Sequence, residues 1–308
     1  MTTPKIALLP DRGVVSITGD DAAKLLQGVI TNDMSAFETG AVAIHAGLLS
    51  AQGKIQHEFF VVKAGGGFLL ETARERAGDL TKRLMLYKLR AKAEIKDVSS
   101  AHTVAVVWGG NNAGTRAWQA PAAPAESHRN VLWFRDPRNP DLGLRLILTT
   151  ATDWVVGQAG DAAPSDAYHA HRIALGVPEG GRDYALGDAF PHEADFDLYH
   201  GVSFTKGCFV GQEVVARMEH KSVVRKRVVR LHGAGLAPGA EVKLGEVVIG
   251  TVGSVAGADG LALLRLDRVA EALDAGQTLT AGSQPVAVDA DALTRYRVSV
   301  ASKPTATF

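Results

Sequence analysis

The sequence predicts an α+β protein that closes in a small all-β domain. Three observations point there. Strand-like and helix-like stretches succeed one another without the regular alternation of a doubly wound sheet, and no phosphate-binding glycine turn is present. After about Ser222 the texture changes to short Val-rich segments separated by Gly-containing turns. The 308 residues, 46% of them hydrophobic, suffice for a substantial core and, by length, for roughly two domains.

The elements follow in order. Val14–Thr18 is a β-branched strand ending at Gly19, and Asp20 suits the N-cap of a helix to about Val29. Ala22, Leu25, Leu26 and Val29 fall on one helical face. Strands are expected at Val42–Leu49 and Ile55–Val62, with Gln52-Gly53 turning between them, and at Phe68–Glu71 after the hairpin loop Gly65-Gly66-Gly67. A helix from about Arg74 to Leu89 buries Ala77, Leu80, Leu84 and Tyr87. Ile95–Val98, Thr103–Trp108, Val131–Phe134 and Leu144–Leu148 complete the strands of this region. Residues 109–130 suit a short helix and a loop, and 157–165 a connection. Asp166–Leu175 reads as a helix stopped by Gly176 and Pro178. Beyond a boundary near 221, strands are expected at Val223–Leu231, Val247–Val255, Leu261–Leu266, Gln277–Thr280 and Pro285–Val288. The organisation is thus 1–221, read as two intertwined α+β subdomains, and 222–308, a β-barrel.

Lys plus Arg and Asp plus Glu number 33 each, so no global charge argument favours nucleic acid or an anionic membrane. No apolar run approaches the ~18 residues of a membrane helix, so no membrane partner is expected. A single cysteine fits a reducing compartment, and the first ten residues do not read as a signal peptide. A cytoplasmic protein is the expectation.

That cysteine, Cys208, is the first candidate for chemistry. A thiolate is the reactive form, and Lys206 and Arg217 are nearby cations able to favour it. Gly207 leaves the backbone free to bend. The bland alternative is a buried, inert thiol. One cysteine cannot by itself supply a site that takes several thiolates, so any such contact requires a second chain, a partner or a small thiol. Gln212 and Glu213 could brace the loop, with Gly211 at positive φ; equally, Gly-Gln-Glu suits the first turn of a helix. His169 and His171 diverge if helical, so no metal site is assigned. Lys221, Arg225, Lys226, Arg227 and Arg230 form a basic run, either an exposed strand face or a contact for an anionic partner such as RNA. Tyr168 and Trp154 are aromatic candidates for stacking on a planar ligand or for the core.

The stretch Lys206-Gly207-Cys208-Phe209-Val210-Gly211-Gln212-Glu213, with Arg217 four residues on, resembles the signature of the YgfZ-like folate-binding family. The resemblance continues in Ile17–Ala22, Leu26-Gln27-Gly28, Thr31-Asn32-Asp33, Leu48–Ile55, Arg172–Pro178 and Pro191–Ala194. It implies the fold of the related aminomethyltransferases (the glycine cleavage T-protein), with tetrahydrofolate or a one-carbon derivative in a central cavity. It also implies a role in maturing or repairing iron–sulfur proteins, with assembly factors or client proteins as partners. Those transferases hold the pterin edge with the glutamate of a Pro-x-Glu segment, and Glu193 falls on that position. They also carry a catalytic aspartate where His57 stands here, followed by Glu58; on a strand only one of these two faces the cavity. Histidine can move protons. A folate-dependent aminomethyl or methyl transferase, acting on a small molecule or on tRNA, therefore remains the alternative function. A non-catalytic docking module is a third reading.

Overall fold

We describe a computed structural model covering residues 3–109, 131–149, 159–221 and 223–301. The expectations at 110–130 and at Trp154 lie outside these residues. The chain divides into two compact units, one of residues 1–49, 56–171 and 198–210, the other of 50–55, 172–197 and 211–308.

The first unit holds two five-stranded sheets. One has the order β3-β4-β5-β2-β6, from β2 (Arg12–Thr18), β3 (Ala43–Leu49), β4 (Ile55–Ala64), β5 (Gly67–Ala73) and β6 (Glu94–Asp97). Helices α1 (Ala22–Val29) and α2 (Arg74–Lys88) contribute to its core: Leu25, Leu26, Leu80 and Leu84 join Val15, Ile17, Phe59, Val61 and Leu70 in one apolar cluster. The period of two along each strand sends the alternate residues to the opposite face. These are Arg12, His45, Glu58, Phe60 and Glu71. The other sheet, β10-β1-β7-β9-β8, is built from β1 (Lys5–Leu8), β7 (Thr103–Trp108), β8 (Val131–Arg135), β9 (Leu144–Leu148) and the short β10 (Asp161–Ala162). Leu144, Leu146 and Leu148 enter its apolar cluster, which leaves Arg145 on the reverse face. The helix α3 (Ser165–Ala174) begins in this unit. Asp21, not the expected Asp20, stands at the N-cap of α1 and makes no side-chain cap there; its carboxylate instead accepts from the Lys92 amide at 2.7 Å.

The second unit is dominated by a closed barrel, β11-β14-β13-β12-β15-β16. Its strands are β11 (Lys226–His232), β12 (Glu241–Leu244), β13 (Val247–Ala256), β14 (Asp259–Arg265), β15 (Leu279–Ala281) and β16 (Gln284–Val288). The region is not all-β. Helices α5 (Leu266–Asp274) and α6 (Ala290–Ala301) bring Leu266, Val269, Ala272 and Leu293 into the barrel's apolar cluster. Ahead of the barrel, α4 (Gln212–Lys221) begins directly after Gly211, whose φ is 80°. Gly53, at φ 79°, lies so close to α4 that an added Cβ would sit 2.9 Å from that of Val214. A side chain there meets both a strained backbone and a clash.

Candidate functional site

A helix leaves its last carbonyls without internal partners. In α1 the chain turns extended at Ile30, and a distant side chain takes up several of the oxygens exposed there. Lys206 Nζ donates to the carbonyls of Gln27 (2.8 Å), Ile30 (2.7 Å) and Asn32 (2.8 Å). An ammonium has three protons, so all three are used. The side chain is 6% exposed, and burial pushes its pKa down to about 8, with Asp33 acting against the shift. Lys206 therefore stays charged at neutral pH, where its charge also suits the negative end of the helix dipole. The sequence suggested Lys206 as a cation for the thiol; in the structure its three protons go to these carbonyls, and it serves as a strut.

The loop leading to Lys206 is tied down at further points. Thr31 Oγ1 donates to the Gly201 carbonyl at 2.6 Å, and the Ser203 amide donates to the Thr31 carbonyl at 3.0 Å. Asn32 Nδ2 donates to the carbonyls of His200 (2.7 Å) and His45 (2.8 Å). His45 Nδ1 lies 3.2 Å from the Tyr199 carbonyl, and its Nε2 lies 2.8 Å from Glu58 Oε1. At the end of this fixed segment Phe204, Thr205, Gly207 and Cys208 are exposed. The thiol is thus presented to solvent rather than buried. Gly207 is not conformationally required: a Cβ there would meet nothing within 4 Å, and its φ is outside the left-handed region. Arg217 pairs with Glu213 at 2.9 Å on the exposed side of α4, the ordinary i,i+4 arrangement. Gln212 opens that helix.

His57 and Glu58 lie on opposite faces of β4, as alternation requires. His57 is 1% exposed beneath α2, with Nε2 3.1 Å from Asp79 Oδ2 at an ion-pair distance but without hydrogen-bond alignment. Burial pushes its pKa down to about 4, Arg76 adding to the effect and Asp79 opposing it. Glu58 faces the other way, into a buried ion network that the sequence reading missed. Glu71, fully buried on β5, receives Arg12 Nε at 2.9 Å and Arg145 Nε at 2.8 Å. Arg145 Nη1 reaches Asp136 at 3.4 Å, and Asp136 takes two bonds from Arg138, at 3.0 and 2.8 Å. Arg138 closes on Glu58 at 3.9 Å. The guanidiniums of Arg138 and Arg145 both lie over the Phe60 ring, at 4.8 and 4.6 Å from its centroid. Three guanidiniums meet three carboxylates, so the cluster is electrically closed. Burial would raise the Glu71 and Asp136 carboxyls, but the arginines hold both below the usual range. A visible signal existed: Glu71 and Arg145 are lone charges inside apolar strands, Phe-Leu-Leu-Glu and Leu-Arg-Leu-Ile-Leu. Tyr168 belongs to this interior. It is 1% exposed, packs edge-on against Trp108 at 5.5 Å and accepts from Arg145 at 3.1 Å, which makes it a core residue.

In the second unit Glu193 is half-buried. Its Oε2 accepts from the Phe190 amide at 2.9 Å, and Oε1 makes no bond among the described residues. One carboxylate oxygen is therefore fixed by the turn, while the other remains open to a donor such as a pterin amine. Strand β11 holds this segment. The Val228 amide donates to the Glu193 carbonyl at 2.9 Å, and Arg227 donates to the His192 carbonyl (2.7 Å), Asp195 (2.8 Å) and Asp197 (2.6 Å). Burial pushes Asp195 up to about 7 against the pull of Arg227. Beside them Lys54 donates to the Asp188 carbonyl and sits 3.7 Å above the Phe190 ring. Two members of the basic run are engaged internally, since Arg230 also pairs with Asp289 at 3.0 Å. His169 and His171 lie on α3, and among the described residues no group of His, Cys, Asp and Glu is placed to hold a metal. Nor is any described helix long and apolar enough to cross a membrane.

Residues 225–294 match the family model "CAF17, C-terminal beta-barrel domain". The chain is 33% identical to "Iron-sulfur cluster assembly factor IBA57, mitochondrial" of Mus musculus, over 92% of this chain and 82% of the mouse protein. It is 33% identical to the Homo sapiens protein of that name, over 85% and 77% of the two chains. Against the Mycosarcoma maydis homolog the identity is 34%, and the chain spans only 60% of that relative's length. In fold, the chain superposes on the glycine cleavage system aminomethyltransferase T from Bartonella henselae with a TM-score of 0.73, covering 93% of this chain and 85% of that one at 15% identity. The fold expected from the sequence, an aminomethyltransferase-type α+β arrangement with a terminal barrel, is therefore present. The cytoplasmic expectation is overturned: these iron–sulfur relatives are named mitochondrial. A lone cysteine separates reducing from oxidising compartments, but it cannot separate one reducing compartment from another.

Proposed function

The chain belongs to the family of the iron–sulfur cluster assembly factor IBA57, and on that premise we propose that it supports the maturation of iron–sulfur proteins as a folate-binding accessory protein of the YgfZ type. The observation that carries the reading is the presentation of Cys208. An exposed thiol stands at the end of a loop whose backbone is anchored at Tyr199, His200, Gly201 and Ser203, and whose Lys206 is anchored through its side chain. Such a thiol suits a contact made outside the chain, with an assembly partner or client protein, because one thiolate cannot complete a cluster's ligand set.

Glu193 supports the folate half of the proposal through its open carboxylate oxygen. Bound tetrahydrofolate would supply one-carbon carrying capacity, and Glu193 would orient the pterin edge. The alternative, folate-dependent aminomethyl or methyl transfer to a small molecule or tRNA, would need a proton-transfer group in place of the transferase aspartate. His57 is neutral near pH 7, buried and turned under α2, which weighs against it.

The test is a calorimetric titration of the full chain with tetrahydrofolate. Saturable binding is expected, weakened about tenfold or more by Glu193→Ala, since a hydrogen bond to a charged group contributes ~1.5–3 kcal/mol. Identical binding by the folded Glu193→Ala variant, or no binding at millimolar ligand, would remove folate from the account. Turnover of an aminomethyl donor, lost in His57→Ala, would install the transferase reading in its place.

A further inference from the structure

Helix α2 ends in an exposed apolar cluster. Met85 is 49% exposed, Leu86 70% and Leu89 87%, whereas Ala77, Leu80 and Leu84 on the other side of the helix are buried. Lys82 and Arg83 lie one turn before Leu86, Arg90 lies directly after Leu89, and all three are exposed. Among the described residues none of these three cations is in an ion pair. The arginines of the barrel differ: Arg227 and Arg230 are neutralised by Asp195, Asp197 and Asp289. The chain has no net charge, so its uncompensated positive charge is local.

Leu89 adds an independent observation. It caps the helix at φ 46° and ψ −110°, a conformation that favours glycine. A leucine held there costs free energy, and its side chain recovers none by burial, because it projects into solvent. The fold alone gives no reason for an apolar residue at this position.

We propose that the C-terminal turn of α2 is a docking surface for a protein partner whose contact face carries acidic side chains around an apolar centre. Three exposed apolar side chains with a cationic rim have the layout of a small interface, an apolar centre within a polar margin. The other occupants fit less well. A second copy of this chain would oppose the same cations across a two-fold contact. Single-stranded nucleic acid would need exposed rings for stacking, and the patch has none. Three side chains on one turn also bury little area in a bilayer. The proposal uses neither Cys208 nor Glu193, so it stands whether or not the folate reading does.

The probe is a labelled synthetic helical peptide with a stripe of leucines flanked on both sides by glutamates. Controls are its lysine counterpart, vesicles of phosphatidylglycerol and phosphatidylcholine, a single-stranded oligonucleotide, and sedimentation of the protein alone. The full chain is expected to bind the acidic peptide, less tightly as salt rises, and not the lysine peptide. The double variant Leu86→Ser, Leu89→Gly should weaken binding about tenfold or more. It should keep its melting temperature, because glycine relieves the backbone at 89. Peptide binding unchanged in the variant overturns the proposal, as does no peptide binding at all. Binding of vesicles or the oligonucleotide instead, or self-association abolished by the same variant, overturns it in favour of that occupant.

Discussion

His57 ties the stability of the fold to pH. Its folded-state pKa of about 4 lies below the ordinary 6.5, so the unfolded chain takes up its proton first as pH falls. The stability this group contributes is complete above about pH 6.5 and is lost as the pH drops towards 4. A shift of this size corresponds to roughly 3 kcal/mol. Denaturant unfolding of the wild type and of His57→Leu at pH 7 and pH 4 tests this, with the variant expected to lose less stability across the interval. Equal losses would show that His57 is not protonation-sensitive. That His57 and Glu58 point apart was legible in the sequence, because strand alternation fixes it. The role of Lys206 was not. Its partners are backbone carbonyls 174–179 residues away, and a carbonyl carries no side-chain signal. Replacing Lys206 by Met should cost about 2–4 kcal/mol by leaving buried carbonyls without donors. It should also loosen the Cys208 loop, seen as faster amide exchange at 199–208. Unchanged exchange would contradict the strut.

At the scale of elements, most strands and helices of the first unit could be read from periodicity, because α1, α2 and the strands around them bury one clear face. Helices α5 and α6 were missed among Val-rich strands. The strand expected to end at Leu266 stops at Arg265, and Leu266, Val269 and Ala270 continue as the buried side of a helix. The ion network was also invisible as a whole, since pairing of Arg12, Glu71 and Arg145 depends on register between strands from two sheets. Removing one partner of such a cluster strands the others. Glu71→Gln is expected to destabilise the protein by about 3–5 kcal/mol in chemical denaturation. A loss under about 1 kcal/mol would mean that the buried arginines are satisfied elsewhere.

For the whole molecule, the fold itself does not decide function. The aminomethyltransferase architecture is shared with an enzyme at 15% identity, while membership of the IBA57 family comes from relatives at 33%. The functional reading of this chain rests on one exposed thiol on an anchored loop. The most direct test is the activity of an iron–sulfur enzyme in cells whose only copy of this protein carries Cys208→Ala, with the variant's abundance matched to wild type. Activity is expected to fall to near that of cells lacking the protein, with the enzyme's own level unchanged. Full activity with Cys208→Ala would contradict that reading.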